Sequence, residues 1–219
     1  ISNFEFRISN FGFRISDFGF FETASFRWVS AIQNSEFKIQ NSQKPLHGTL
    51  VTAQLHLEVF AVGPIQANCV LLGDREGGEL VVIDPGDEGQ RVAERVSASE
   101  LRPTMILHTH GHLDHVGGTK ESWELLGSAL PIGLHRDDLD LYRNAPLQAR
   151  MFGLEVEAPP EPTLWLEHGS SLKVGAMELE VRHTPGHSPG QVAFIFDGQA
   201  IVGDTLFNRS IGRSDLPGS

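Results

Sequence analysis

The sequence predicts a mixed α/β sandwich beginning near residue 51, and two features carry that prediction. From Leu55 onward the chain runs as short β-type stretches punctuated by Gly, Pro and Asp turns. Helical stretches interrupt these at intervals instead of collecting at one end, as in a layered fold. An apolar fraction of 40% in 219 residues is enough for one real core.

Leu55–Phe60, Asn68–Leu72 and Leu80–Ile83 are predicted as the first three strands, the third closed by the turn Asp84-Pro85-Gly86. Residues 88–99 have helical composition, and Pro103 opens a new segment. Thr104–Leu107 then forms a short buried strand that runs into a histidine-rich loop. A helix over 119–126 is stopped by Gly127 and followed by a strand at Pro131–Leu134. Helical stretches lie within 136–152, and a Pro-rich link occupies 158–162. Five further strands are expected near 164–167, 171–174, 177–182, 191–196 and 199–202. Periodicity alone does not order these strands within sheets.

The first 50 residues read differently. Nine of the 14 Phe fall within the first 37 positions, and Ile1 to Phe20 is a near-perfect seven-residue repeat. A heptad raises the possibility of a coiled coil, but the Ser, Asn and Gly fillers are poor helix formers. Residues 1–50 are therefore expected to be a low-complexity tail without chemistry, disordered or at most an edge strand. The chain begins at Ile1 and its first methionine is Met105. We expect residues 1 to about 50 to be translated repeat upstream of a start near Leu50 or Val51, with the folded domain at 51–219.

Seventeen Lys and Arg against 28 Asp and Glu give a net charge of −11. An acidic surface repels phosphate backbones and anionic headgroups, which disfavours nucleic-acid and membrane partners. No apolar stretch approaches the ~20 residues of a membrane helix, and no signal peptide can be drawn, so a cytoplasmic location is expected. The single cysteine, Cys69, excludes an internal disulfide framework and any multi-cysteine metal cage. Any metal must be bound by histidine and carboxylate.

Those residue types are concentrated in His110-Gly111-His112-Leu113-Asp114-His115, immediately after a predicted strand. Four potential ligands in six residues can offer imidazole nitrogens and a carboxylate to a divalent ion, and Gly111 with Gly117-Gly118 permits the turns that convergence needs. One loop cannot complete a site. Further ligands of the right type follow at later strand ends: His187 in Thr-Pro-Gly-His, and Asp204 in Gly-Asp-Thr.

Taken together, Thr-His-Gly-His-Leu-Asp-His-Val-Gly-Gly, Thr-Pro-Gly-His, Gly-Asp-Thr-Leu-Phe, the closing Ser210–Gly218 and Asp84-Pro85-Gly86 resemble the metallo-β-lactamase-fold hydrolases, and within them the short bacterial glyoxalase II-like group. The resemblance covers about residues 55–219. It implies an αββα sandwich lacking its C-terminal part. It also implies one metal on His110, His112 and His187, and a second on Asp114 and His115, with Asp204 bridging. The family's second site usually has one more histidine, from a Gly-His-Gly-Pro-like segment that is expected beyond Ser219. Two divalent ions follow, zinc first, with iron or manganese as alternatives. The implied activity is hydrolysis of a small-molecule thioester by a metal-bound hydroxide, with Asp114 also orienting the nucleophile; the oligomeric state is left open.

Two competing functions stay open: a single-iron persulfide dioxygenase using His110, His187 and Asp204, and an inactive metal-binding fragment. Ile211 stands where the dioxygenases usually have cysteine, and Asp204 where class B β-lactamases generally have one. Basic RNA-processing relatives are disfavoured by the charge, and flavodiiron proteins by His112. Outside the motifs, His108 and His183 are expected to pack or to support ligands, and His135 and His168 to be exposed. Cys69 reads as a small core residue, Tyr142 as a packing or surface residue. Arg209 and Arg213 could attract a carboxylate, or Arg213 could pair with Asp215.

Overall fold

Alternation of side chains along β-strands puts two hydrophobic faces on one sheet, and the fold is organised around that sheet. In the computed structural model, which describes residues 48–207 and 209–215, seven strands lie in sequence order: β1 (Gly48–Val51), β2 (Leu55–Val62), β3 (Ala67–Asp74), β4 (Glu79–Ile83), β5 (Arg102–Leu107), β6 (Ile132–Leu134) and β7 (Leu164–Trp165). The first four pair antiparallel through tight turns. From β4 onward the pairing is parallel. Parallel neighbours require crossovers, and helices supply them: α1 (Gly89–Ser99) between β4 and β5, then α2 (Leu113–Val116) and α3 (Thr119–Leu126) between β5 and β6. Helices α4 (Leu139–Arg143) and α5 (Ala145–Met151) follow β6.

A second, antiparallel sheet has the order β11 (Gln199–Ile201), β10 (Val192–Phe196), β9 (Met177–His183), β8 (Ser171–Val174). Strand β3 shows how one sequence serves two cores. Cys69 and Leu71 face the helices with Val92, Val96, Leu113, Val116 and Tyr142. Val70 and Leu72 face the second sheet with Leu179, Val181, Phe194 and Phe196. Helices, seven-stranded sheet and four-stranded sheet thus stack as three layers, the mixed α/β sandwich expected from sequence. A last two-stranded hairpin, β12 (Leu206–Phe207) with β13 (Ser210–Ile211), follows Asp204.

The structure adds elements that the sequence did not suggest. Strand β1 reaches three residues into the segment read as tail, because Gly48–Val51 pairs along β2 from Val59 to His56. The rest of that segment, residues 1–47, lies outside the described residues, as do Asn208 and residues 216–219. The histidine-rich segment is not wholly a loop: Leu113–Val116 makes one helical turn that buries Leu113 and Val116. Gly117 has ordinary helical angles (φ −60°), so its role is close packing against the Gly86 carbonyl and not an unusual turn. Among the described residues no helix is long and apolar enough to cross a membrane.

Candidate metal centre

The parallel strands β4, β5 and β6 end on the same side, and their C-terminal loops make the floor of the site. Ligands congregate at this edge because chain leaving parallel strands is free of ladder hydrogen bonds there. Asp84 follows β4 in a left-handed conformation (φ 54°), which aspartate tolerates better than most residues. Its buried carboxylate accepts hydrogen bonds from the Thr109 amide (2.7 Å), the Thr109 hydroxyl (2.6 Å) and His115 Nδ1 (2.9 Å). His115 is thereby left with Nε2 aimed into the site.

The other imidazoles are oriented in the same manner. His110 Nδ1 lies 3.1 Å from the Thr109 hydroxyl, and His187 Nδ1 donates to the Arg213 carbonyl at 2.9 Å. Such contacts fix which nitrogen is offered to a metal. His112 Nδ1 and His187 Nε2 stand 2.9 Å apart, and the His110, His112 and His187 rings meet edge to face with centroids 4.6–4.9 Å apart. Asp204, in a 3₁₀ turn after β11, directs Oδ2 to within 3.5 Å of His187 Nε2 and Oδ1 to within 3.3 Å of His115 Nε2. Its segment is held by the Thr184–Thr205 hydroxyl contact (3.0 Å) and by Gln191, which donates to the Val202 carbonyl at 3.1 Å.

The structure therefore brings two overlapping groups together. His110, His112 and His187 form one; His110, His115 and Asp204 form the other, with ligand atoms within 4.8 Å of one another in each. Asp114 is in neither group, but its Oδ2 lies 3.7 Å from His115 Nε2, at the edge of the second.

The electrostatics suit a cation. Burial, followed by the charges of the neighbouring histidines, pushes His110 well below the ordinary imidazole value, and burial with His187 lowers His112. His110 Nε2 is buried without a hydrogen-bond partner. A buried imidazole nitrogen left without a hydrogen-bond partner is suited to ligate a metal ion. Burial also opposes charge on His115. Asp114 and Asp84, helped by hydrogen bonds to Asp204 and Asp84, outweigh it and hold that pKa well above the usual value. Asp204 is held low, its burial overcome by His115 and then by His187 and His112. The residues present fit a divalent metal ion.

A third group, His135, Asp137 and His183, lies elsewhere. Its two imidazoles are stacked face to face at 4.1 Å and 11°. Lone pairs lie in the ring planes, so rings stacked in parallel do not aim at a common ion. His183 Nε2 instead contacts the Pro189 carbonyl at 2.8 Å, supporting the loop that carries His187. His135 is half-buried, stacked on His183, which corrects the expectation that it is exposed, whereas His168 is exposed. His108 is wholly buried, packed on Tyr142, and burial lowers its pKa to about 4. Tyr142 packs in the core with its hydroxyl donating to the Pro160 carbonyl at 2.7 Å. Cys69 is buried, and Arg213 pairs with Asp215 at 2.9 and 3.0 Å.

Sequence reasoning missed three supporting residues. Asp84 was visible only as part of a turn. Gln148 accepts from the Leu113 amide at 3.0 Å and donates to the Leu141 carbonyl at 2.7 Å, holding the start of α2. Asp138 joins two ligand segments, as developed below. Nothing in a single sequence marks the last two.

Comparison with known proteins identifies the family of this fold. The profile of the metallo-beta-lactamase superfamily matches residues 62–219. Hydroxyacylglutathione hydrolase GloC of Haemophilus influenzae is 36% identical over 166 residues, 74% of this chain and 77% of that protein. Among solved structures, TTHA1623 in a di-iron-bound form is 43% identical, with a TM-score of 0.66 over 74% of this chain and 78% of its own. BLEG-1, described as a B3 metallo-beta-lactamase, is 31% identical, with a TM-score of 0.67 over the same shares.

Proposed function

Because the chain belongs to the metallo-beta-lactamase superfamily of metal-dependent hydrolases, we propose that it is a binuclear thioester hydrolase of the hydroxyacylglutathione hydrolase type. The observation that carries two ions is Asp204, which turns one carboxylate oxygen to each ligand group. His110, His112 and His187 would hold one ion, Asp114 and His115 the other, and Asp204 would bridge. Zinc is the metal expected, with iron or manganese as alternatives; the related TTHA1623 was solved with iron.

Ions held there supply Lewis acidity and bring the pKa of a water toward about 7. The chain's own residues do the rest. Asp114, part-exposed at the edge of the site, accepts a hydrogen bond from the attacking water and orients it. Asp84 keeps the His115 proton on Nδ1, so that Nε2 stays turned inward. A thiol's pKa of about 8.5 makes its thiolate a good leaving group, so no strong general acid is demanded. The Tyr142 hydroxyl, tied to Pro160, has no such role. The acidic surface leaves a small molecule as the expected partner, in the cytoplasm.

The test is metal analysis of the full chain with three assays on zinc-loaded and iron-loaded protein. Thiol release from S-lactoylglutathione is expected. Stoichiometric oxygen uptake with glutathione persulfide and negligible thiol release would replace this reading with the dioxygenase. Ring opening of a chromogenic cephalosporin alone would replace it with the activity in the BLEG-1 description. Metal binding without turnover of any of the three would make the chain a non-catalytic metal-binding protein.

A further inference from the structure

Asp138 ends the 3₁₀ turn Arg136–Asp138 after β6, and its side chain has no exposed surface. Its carboxylate accepts three hydrogen bonds from two distant segments. Oδ2 takes the Gly111 amide at 2.8 Å and the Ser188 hydroxyl at 2.7 Å, and Oδ1 takes the Gly190 amide at 2.6 Å. Gly111 separates His110 from His112, and Ser188 follows His187.

The glycines on both sides are required by the same contact. A Cβ at Gly111 would stand 2.8 Å from the Asp138 carbonyl oxygen and 2.9 Å from the Tyr142 nitrogen. A Cβ at Gly190 would stand 2.6 Å from the Asp138 nitrogen and 2.9 Å from its Cβ. Only chains without side chains at these points can close on the carboxylate from both sides.

We infer that Asp138 is a positioning residue that clamps the two ligand segments together and so sets the spacing of His112 Nδ1 and His187 Nε2 in the first metal group. The inference rests on the reading that this group holds a metal. His112 Nδ1 and His187 Nε2 stand at hydrogen-bond distance (2.9 Å), and their segments are anchored to different sheets. A buried carboxylate that accepts from both holds them in register before the ion arrives. Pre-organisation of this kind raises affinity by removing the ordering cost from the binding step.

The test uses the full chain as wild type, Asp138→Asn, Asp138→Ala, Ser188→Ala and Val174→Ala. The last is buried between the sheets, away from both segments, and serves as a stability control. Zinc affinity is measured by competition with a chromogenic chelator, coordination geometry by the d–d absorption of cobalt-loaded protein, and metal-free stability by urea unfolding. Asparagine conserves volume but has one oxygen for three donors and turns an NH2 group toward an amide N–H. Asp138→Asn is expected to weaken zinc binding about 10–100-fold and to shift the cobalt spectrum, as loss of a ligand's supporting contact does. Ser188→Ala, which keeps both backbone bonds, is expected to lose less. Val174→Ala should lower the urea midpoint with zinc affinity unchanged. Should Asp138→Ala fail to fold, Asp138→Asn and Ser188→Ala carry the test.

Loss of stability in Asp138→Asn with wild-type zinc affinity and cobalt spectrum would overturn the clamp. If wild type releases thiol while Asp138→Asn binds zinc normally, only the clamp fails. Wild type that binds zinc, is weakened by Asp138→Asn and releases no thiol sustains the clamp and sinks the thioesterase reading. A wild-type chain without zinc affinity overturns both.

Discussion

Replacing Asp84 with Ala is expected to destabilise the metal-free protein by about 3–5 kcal/mol and to weaken metal binding about 10–100-fold. The figure follows from its three bonds. The Thr109 amide, wholly buried, loses its acceptor (2.7 Å), and an unsatisfied buried donor costs about 1–3 kcal/mol. The His115 contact (2.9 Å) joins a buried carboxylate to an imidazole whose pKa is held high, and a bond to a charged group contributes about 1.5–3 kcal/mol. The Thr109 hydroxyl adds little, because it also lies 3.1 Å from His110 Nδ1. The metal effect arises separately. Without Asp84, His115 loses the acceptor that keeps its proton on Nδ1, and Nε2 is no longer held toward Asp204. Urea unfolding of metal-free wild type and variant at neutral pH measures the first effect. Metal per chain after equilibration in a zinc buffer measures the second. Thr109→Val, which removes only the hydroxyl, should fall within about 1 kcal/mol of wild type. An Asp84→Ala variant equally close to wild type, with full metal content, would refute the idea that this carboxylate organises the floor of the site.

Three further outcomes are expected. His110→Ala and His187→Ala should each lower metal content and abolish thioester hydrolysis; full loading with unchanged turnover in both would remove them from the ligand set. Asp114→Ala should reduce hydrolysis by about 10²–10³, the loss typical when an electrostatic contact to the transition state is removed, while a single-iron oxygenase would keep its iron. Asp74 is expected to contribute to stability on the acid side. The Ala176 amide (2.7 Å) holds its carboxyl below the usual range against the effect of burial, with help from Gly77 and Glu76. A depressed carboxyl contributes stability above its unfolded value of about 3.9, and that contribution is lost as pH falls through the folded value. Asp74→Ala should therefore flatten the stability profile on the acid side and lower stability at neutral pH. A pH profile parallel to wild type would show that the contact is not linked to folding.

Much of the fold was legible because the signals were local. The helix over 119–126 and the strand over 171–174 match their expected bounds, the first ended by Gly127 and the second by the Gly175 turn. What was missed depends on distant partners. Gly48–Val51 abuts low-complexity sequence and becomes a strand only because β2 offers an open edge. Leu113–Val116 is too short to be helical alone, and becomes so when Leu113 and Val116 dock in the core. The candidate ligands were legible because metal chemistry restricts residue type and spacing so tightly. Their supports were not, because a buried carboxylate looks like any other acid in sequence. Arg136-Asp137-Asp138 reads as a solvated charged run, yet the turn exposes Asp137 and hides Asp138 completely. The half-burial of His135 escaped notice for the same reason, since His183 reaches it from the other sheet.

The two sheets are fastened to each other at both ends by different means. Strands β4 and β9 each run from one fastening to the other. At the start of both, Asp74 and Glu79 grip the Ala176 and Gly175 amides (2.7 and 2.9 Å), a permanent seam made of protein alone. At their far ends the ligands divide by sheet: His110, His112 and His115 follow β5, whereas His187 and Asp204 follow β9 and β11. An ion bound there is therefore a removable rivet between the layers as well as a reagent. Its free energy of binding adds to the cohesion of the sandwich only at that end. At the mouth of the site, where Asp138 already ties the Gly111 segment to Ser188 and Gly190, bound metal adds a second fastening to the protein's own, whereas the opposite end relies on protein contacts alone.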